Sequence, residues 1–111
     1  SETLRYLYFD VDLFFACDVD EPMVVTIDYY DAGPESWTLH YDSADPEAEG
    51  LAQQFRTGHR QRIEGTKAWR QVRVTIPHAR FAGRGNGCDF RLAAEGGALL
   101  VSRIAVQRPP N

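Results

Sequence analysis

Apolar and polar residues alternate in six separate segments of this chain, and that repetition constrains the fold more than any other feature. "LRYLYFDVDLF" sets Leu7, Phe9, Val11 and Leu13 against Tyr6, Tyr8, Asp10 and Asp12. "MVVTIDYY" sets Val25, Ile27 and Tyr29 against Val24, Thr26, Asp28 and Tyr30. "SWTLHYDS" sets Trp37, Leu39 and Tyr41 against Thr38, His40 and Asp42. "WRQVRVTIP" sets Val72, Val74 and Ile76 against Trp69, Gln71, Arg73 and Thr75. "CDFRLA" sets Phe90 and Leu92 against Asp89 and Arg91, and "LLVSRIAVQR" sets Leu100, Ile104 and Val106 against Arg103. Successive side chains of a strand point to opposite faces, so each segment reads as a strand with one face in a core.

Turn chemistry separates the strands. "DVDEP", "DAGPE" and "GRGNG" are rich in Gly, Pro, Asp and Asn, residues that favour turns. The longest break, "SADPEAEGLAQQFRTGHRQRIEG", carries one helical-turn candidate, "PEAEGLAQQF". Gly50 and the lack of a sustained apolar stripe argue against a long helix there. "HARFAGR" reads as another single turn. Many short strands at this spacing predict an all-β, two-sheet antiparallel β-sandwich or a barrel. The first and last strands are both strong, so the expectation is that they pair and bring the termini together.

Length and charge narrow the function. A chain of 111 residues suits a single domain with little room for a large enclosed active site. The 43% hydrophobic and 25% charged content is that of a folded soluble domain. A net charge of −4 lacks the basic field of a nucleic-acid binder. The one basic cluster, "RTGHRQR", reads as a solvated loop or an edge-strand face. No apolar run approaches a membrane span. The proline-rich "VQRPPN" end and the immediate strand at the start suggest a module cut from a longer protein. Cys17 and Cys88 read equally as one disulfide or as two separate thiols.

Catalytic motifs are weak. In "RFAGRGNGCDFRL" the glycines precede a strand, whereas a phosphate loop precedes a helix, and no Lys-Ser or Lys-Thr follows them. They read as turn residues, leaving Arg84 and Asn86 at the tip, with Asp89 and Arg91 in a network to neighbouring strands. Asp10 and Asp12 would stand roughly 6.5–7 Å apart on one strand face, near a glycosidase pair's separation. An open sheet face supplies neither the cleft nor the raised pKa that such a pair needs. His40, His59 and His78 lie in separate segments without metal spacing. "CDVDE" and "YDSADPE" cluster oxygen ligands of the kind Ca²⁺ uses, although acidic loops are more often solvated turns.

The aromatics point further. Tyr6, Tyr8, Tyr30 and Trp69 fall on polar strand faces, beside Asp10, Asp28, His40 and Arg103. Sugars stack apolar C–H faces on such rings and offer hydroxyls to polar neighbours. Trp37, Tyr29 and Tyr41 fall on the apolar faces and read as core.

The series "YLYFDVD", "VVTIDYYDAG", "SWTLHYDS", "GTKAWRQVRVTIPHARFAGRGNGCDFRL" and "LLVSRIAVQR" resembles the carbohydrate-binding modules appended to bacterial secreted glycoside hydrolases, of the galactose-binding-like, jelly-roll type. The resemblance implies a jelly-roll β-sandwich that is not an enzyme. It implies binding to a polysaccharide or oligosaccharide, with an attached catalytic domain as partner, and neither nucleic acid nor membrane. It implies secretion, which would favour a Cys17–Cys88 disulfide. No cofactor is required, and a structural Ca²⁺ is common in such modules. The expected ligand-binding residues are Tyr8, Tyr30 and Trp69 as stacking groups, with Asp10, Arg84 and Asn86 as hydrogen-bonding groups. The rival expectation is a structural β-sandwich that packs on a neighbouring domain without binding sugar.

Overall fold

A computed structural model describes residues 4–9, 19–44, 55–82 and 89–110. Among the described residues seven strands form: β1 (Leu4–Phe9), β2 (Glu21–Tyr30), β3 (Ser36–Tyr41), β4 (Arg56–Arg62), β5 (Trp69–Ala79), β6 (Phe90–Glu95) and β7 (Val101–Gln107). They make a four-stranded sheet in the order β1-β6-β3-β4 and a three-stranded sheet in the order β5-β2-β7. All the ladders are antiparallel. The pairs β1·β6, β2·β5 and β3·β4 are nested, as in one long hairpin rolled up, which is the winding of a jelly roll. β7 then adds to the free side of β2.

The alternation sorts residues between core and surface. Val25, Ile27, Trp37, Leu39, Tyr41, Val74, Ile76, Phe90 and Leu92 are buried in one cluster drawn from both sheets. Removing these apolar faces from water is the main drive for the layers to pack. Tyr29 and Phe81 join the same cluster.

Three expectations are corrected. First, β1 and β7 do not pair: β1 bonds to β6 and β7 bonds to β2, so each is an edge strand of a different sheet. Second, "HARFAGR" does not begin a helical turn. β5 runs on to Ala79, and His78 and Phe81 take positive φ of 55° and 54°. The segment is latched to "YDSADPE" instead: Arg80 N–H donates to the Asp42 carbonyl (2.8 Å), and Ala82 N–H donates to Asp42 Oδ2 (2.8 Å). Asp42, expected on the polar face, is fully buried by this latch. Third, Leu100 does not share the inward face of Ile104. A register shift between Asp28 and Tyr29 interrupts the β2·β7 ladder, Leu100 is exposed, and Leu99 is buried instead. Of the two readings of "RTGHRQR", a solvated loop or an edge-strand face, the structure shows the second: it is β4, at the edge of the larger sheet. Its residues are nearly all polar on both faces, so no alternation betrays it.

β4 depends on Gly58. The β3·β4 register shifts between Leu39 and His40, at Gly58. A Cβ there would stand 2.8 Å from Ile76 Cγ2 and 3.2 Å from two ring carbons of Tyr41. Gly58 thus lets β4 approach β5 of the other sheet. Gly58→Ala is expected to cost about 1–3 kcal/mol through overpacking. Equilibrium urea unfolding should show a lower midpoint with an unchanged slope, and an undiminished midpoint would refute the packing argument.

Candidate functional site

Tyr30 ends β2 and Trp69 begins β5, and the register places them directly opposite each other. Their rings meet edge-to-face, 5.4 Å between centroids at 63°. Tyr30 thereby braces Trp69, whose residue remains 55% exposed. Both project from the outer face of the smaller sheet, because the intervening Tyr29 and Ile27 of β2 turn into the core.

Polar rows follow along the same face. Gln71, Asp28 and Arg103 stand side by side on β5, β2 and β7. Gln71 Nε2 donates to Asp28 Oδ1 at 2.8 Å. The next row holds Arg73, Thr26 and Ala105. The surface is an aromatic end continued by hydrogen-bonding groups, with rows roughly 6.5–7 Å apart.

Asp31 anchors the aromatic end. It directly follows Tyr30, and its side chain is fully buried. Its Oδ1 accepts from Glu64 N–H (2.9 Å), and its Oδ2 accepts from Thr66 N–H (3.1 Å) and the Thr66 hydroxyl (2.6 Å). Its main chain bonds to Ala68 and Lys67. The segment leading into Trp69 is thus tied to the residue after Tyr30. Arg70 lies 3.7 Å from Asp31 Oδ2 and 2.9 Å from Glu64 Oε1. The Thr66 hydroxyl foremost, then the Glu64 and Thr66 amides and Arg70, hold the Asp31 carboxyl below its usual 3.8, against the opposing effect of burial. Sequence reasoning treated "DAGPE" as a turn and missed this clamp, since its partners lie more than thirty positions away.

A depressed carboxylate stabilises the fold in full above its unfolded pKa, and that contribution is lost as pH falls through the lower folded value. Asp31→Asn should therefore lower the melting temperature at neutral pH, because an amide cannot accept all three hydrogen bonds. The gap to the native chain should narrow as pH drops below 3.8. Thermal melts from neutral to acid pH check this, and a gap independent of pH would remove the clamp's electrostatic role.

Tyr8 lies elsewhere. It stands on β1 of the larger sheet, opposite Arg91, which is opposite His40. Tyr6 and Tyr8 stack at 6.0 Å. The Arg91 guanidinium lies 4.5 Å from the Tyr6 ring centroid and 3.8 Å from that of Phe55. Arg91 Nε donates to His40 Nδ1 at 3.2 Å. Burial first, then the Arg91 charge, pushes His40 below its usual 6.5, which suits an unprotonated accepting nitrogen. Arg91 is thus engaged in the expected network to neighbouring strands. Of the six expected ligand-binding residues, the structure brings Tyr30 and Trp69 together and sets Tyr8 on the opposite layer. Asp10, Arg84 and Asn86 lie outside the described residues, as do Asp12, Cys17 and Cys88.

The acidic loops do not supply a calcium shell from what is described. Asp20 bonds to His78 Nδ1 (2.9 Å) and Asp42 is turned inward on Ala82. Among the described residues no three His, Cys, Asp or Glu side chains gather at metal-binding distance. Asp18, Asp45 and Glu47 lie outside the described residues.

Comparisons with family models, with curated proteins and with solved structures found no match. The resemblance to carbohydrate-binding modules therefore rests on the sequence motifs.

Proposed function

We propose that this chain is a non-catalytic carbohydrate-binding module that holds an attached catalytic domain close to a polysaccharide. The observation that carries the reading is the braced, exposed ring of Trp69 on a sheet face that continues into hydrogen-bonding side chains. An indole held in place offers a flat apolar face without the entropy cost of ordering it on binding. Gln71, Asp28 and Thr26 supply the donors and acceptors that sugar hydroxyls need. Tethering would raise the effective concentration of substrate at the catalytic domain without any chemistry in the module. Such a role implies a secreted protein.

A second reading has its own observation. Leu7 and Phe9 of β1 line an open groove of about 480 Å³ with Leu99, Leu100, Val101 and Ile104. Leu4, Leu7 and Leu100 are well exposed along this edge. Apolar surface of this kind suits a neighbouring domain, as expected of a structural module that binds no sugar. Affinity electrophoresis and calorimetry of the chain against a glycan panel separate the two. Binding to at least one glycan supports the first reading. Binding to none, together with tight docking to a catalytic partner, establishes the second.

A further inference from the structure

The arginines of the described residues differ in how they are held. Arg60 faces Glu95, Arg70 faces Glu64, Arg108 faces Glu21, and Arg91 lies against two rings. The exposed side chains of Arg73 and Arg103, like those of Arg5 and Arg62 on the larger sheet, make no hydrogen bond or ion pair with any described residue. Arg73 and Arg103 stand on the smaller sheet beside the Trp69–Tyr30 pair. Arg103 is directly across from Asp28, yet the Asp28 carboxylate takes its hydrogen bond from Gln71 on the other side. Arg73 sits four positions along β5 from Trp69, roughly 13 Å away along the strand. The paired rows from Trp69 to Arg73 hold two arginines and one aspartate, in a chain whose net charge is −4.

We infer that the ligand of this face is an acidic glycan, one whose uronic-acid carboxylates are received by Arg73 and Arg103 while a sugar ring stacks on Trp69. This inference rests on the carbohydrate-binding reading. A guanidinium presents a planar fork that matches a carboxylate's two oxygens. A neutral glycan would leave both cations without a counterpart. A uronate chain would place negative charge along these rows, whose two positive side chains are Arg73 and Arg103. Asp28, bonded to Gln71, would repel a carboxylate placed over the middle strand and so favour the flanking strands that carry the arginines.

The test is calorimetry of the 111-residue chain against uronic-acid oligosaccharides, their methyl esters, sulfated oligosaccharides and neutral glycans. The native chain should bind a uronate oligomer at least tenfold more tightly than its ester. That preference should shrink as NaCl rises from about 0.05 M to about 0.5 M, because exposed charges are screened. Arg73→Ala combined with Arg103→Ala should remove the preference and leave ester binding unchanged. Unchanged melting would show that the variant is folded. Equal binding of acid and ester, tighter binding of sulfated chains, or a double variant that keeps the preference would overturn the inference. Binding of neutral glycans alone would overturn it while sparing the carbohydrate-binding reading. Binding of no glycan at all would remove both.

Discussion

Trp69→Ala is expected to reduce glycan affinity between tenfold and a hundredfold while leaving the fold intact. One indole face against a sugar removes roughly 100 Å² of apolar surface from water. At the usual area coefficient that is about 2.5 kcal/mol, or nearly two decades in affinity. The stability cost should be small, because Trp69 is more than half exposed at the start of its strand. Its loss removes mainly the edge contact with Tyr30, worth about 0.5–1.5 kcal/mol. Calorimetry and thermal melts on the same preparations check both halves. If Trp69→Ala binds undiminished and Tyr8→Ala does not, the platform lies on the other sheet, beside Tyr6 and Arg91.

Trp37 provides the opposite case. It is fully buried, meets Tyr29 edge-on at 5.3 Å and His59 at 5.7 Å, and belongs to the shared core. Trp37→Ala is expected to cost about 3–5 kcal/mol by cavity formation. A domain of this size has a total stability on the order of 5–15 kcal/mol. Urea unfolding should therefore show a large loss, or a chain unfolded before denaturant is added. Trp37→Phe should cost far less, because most of the ring contacts remain. The substitution also removes an indole N–H that is buried without a hydrogen-bond partner among the described residues. A Trp37→Ala chain as stable as the native one would contradict the placement of Trp37 at the centre of the core. The two tryptophans thus separate stability from binding within a single residue type.

Much of the fold was legible because burial acts locally on a strand. A residue's neighbours at i±1 and i±2 say whether it faces in or out. On that basis alone Trp37, Tyr29 and Tyr41 fall in the core and Tyr30 and Trp69 on a polar face; the first three are buried, Trp69 is exposed and Tyr30 is half-buried beside it. β4 is legible only as a choice between a loop and an edge-strand face, since an edge strand of arginine, threonine, histidine and glutamine has no apolar face to alternate. The Leu100 error came from a register shift, where the count of two is broken and Leu99 takes the inward place.

The candidate site was legible only in its parts. Alternation, turn residues and composition by themselves determined that the chain would form antiparallel strands in two layers and most of the residues that would build the core, although Leu7 and Leu100, set on apolar faces, are exposed and Asp42, set on a polar face, is buried. They carried no information on which outside residues share a surface. That was decided by strand pairing: β2 against β5 puts Tyr30 beside Trp69, while β1 against β6 sends Tyr8 to the opposite layer. The Asp31 clamp and the uncompensated Arg73 and Arg103 are likewise properties of pairing. The physical reason is that a period of two encodes a direction relative to the core, whereas a site is a set of distances between residues remote in sequence. Those distances exist only once the ladders have closed.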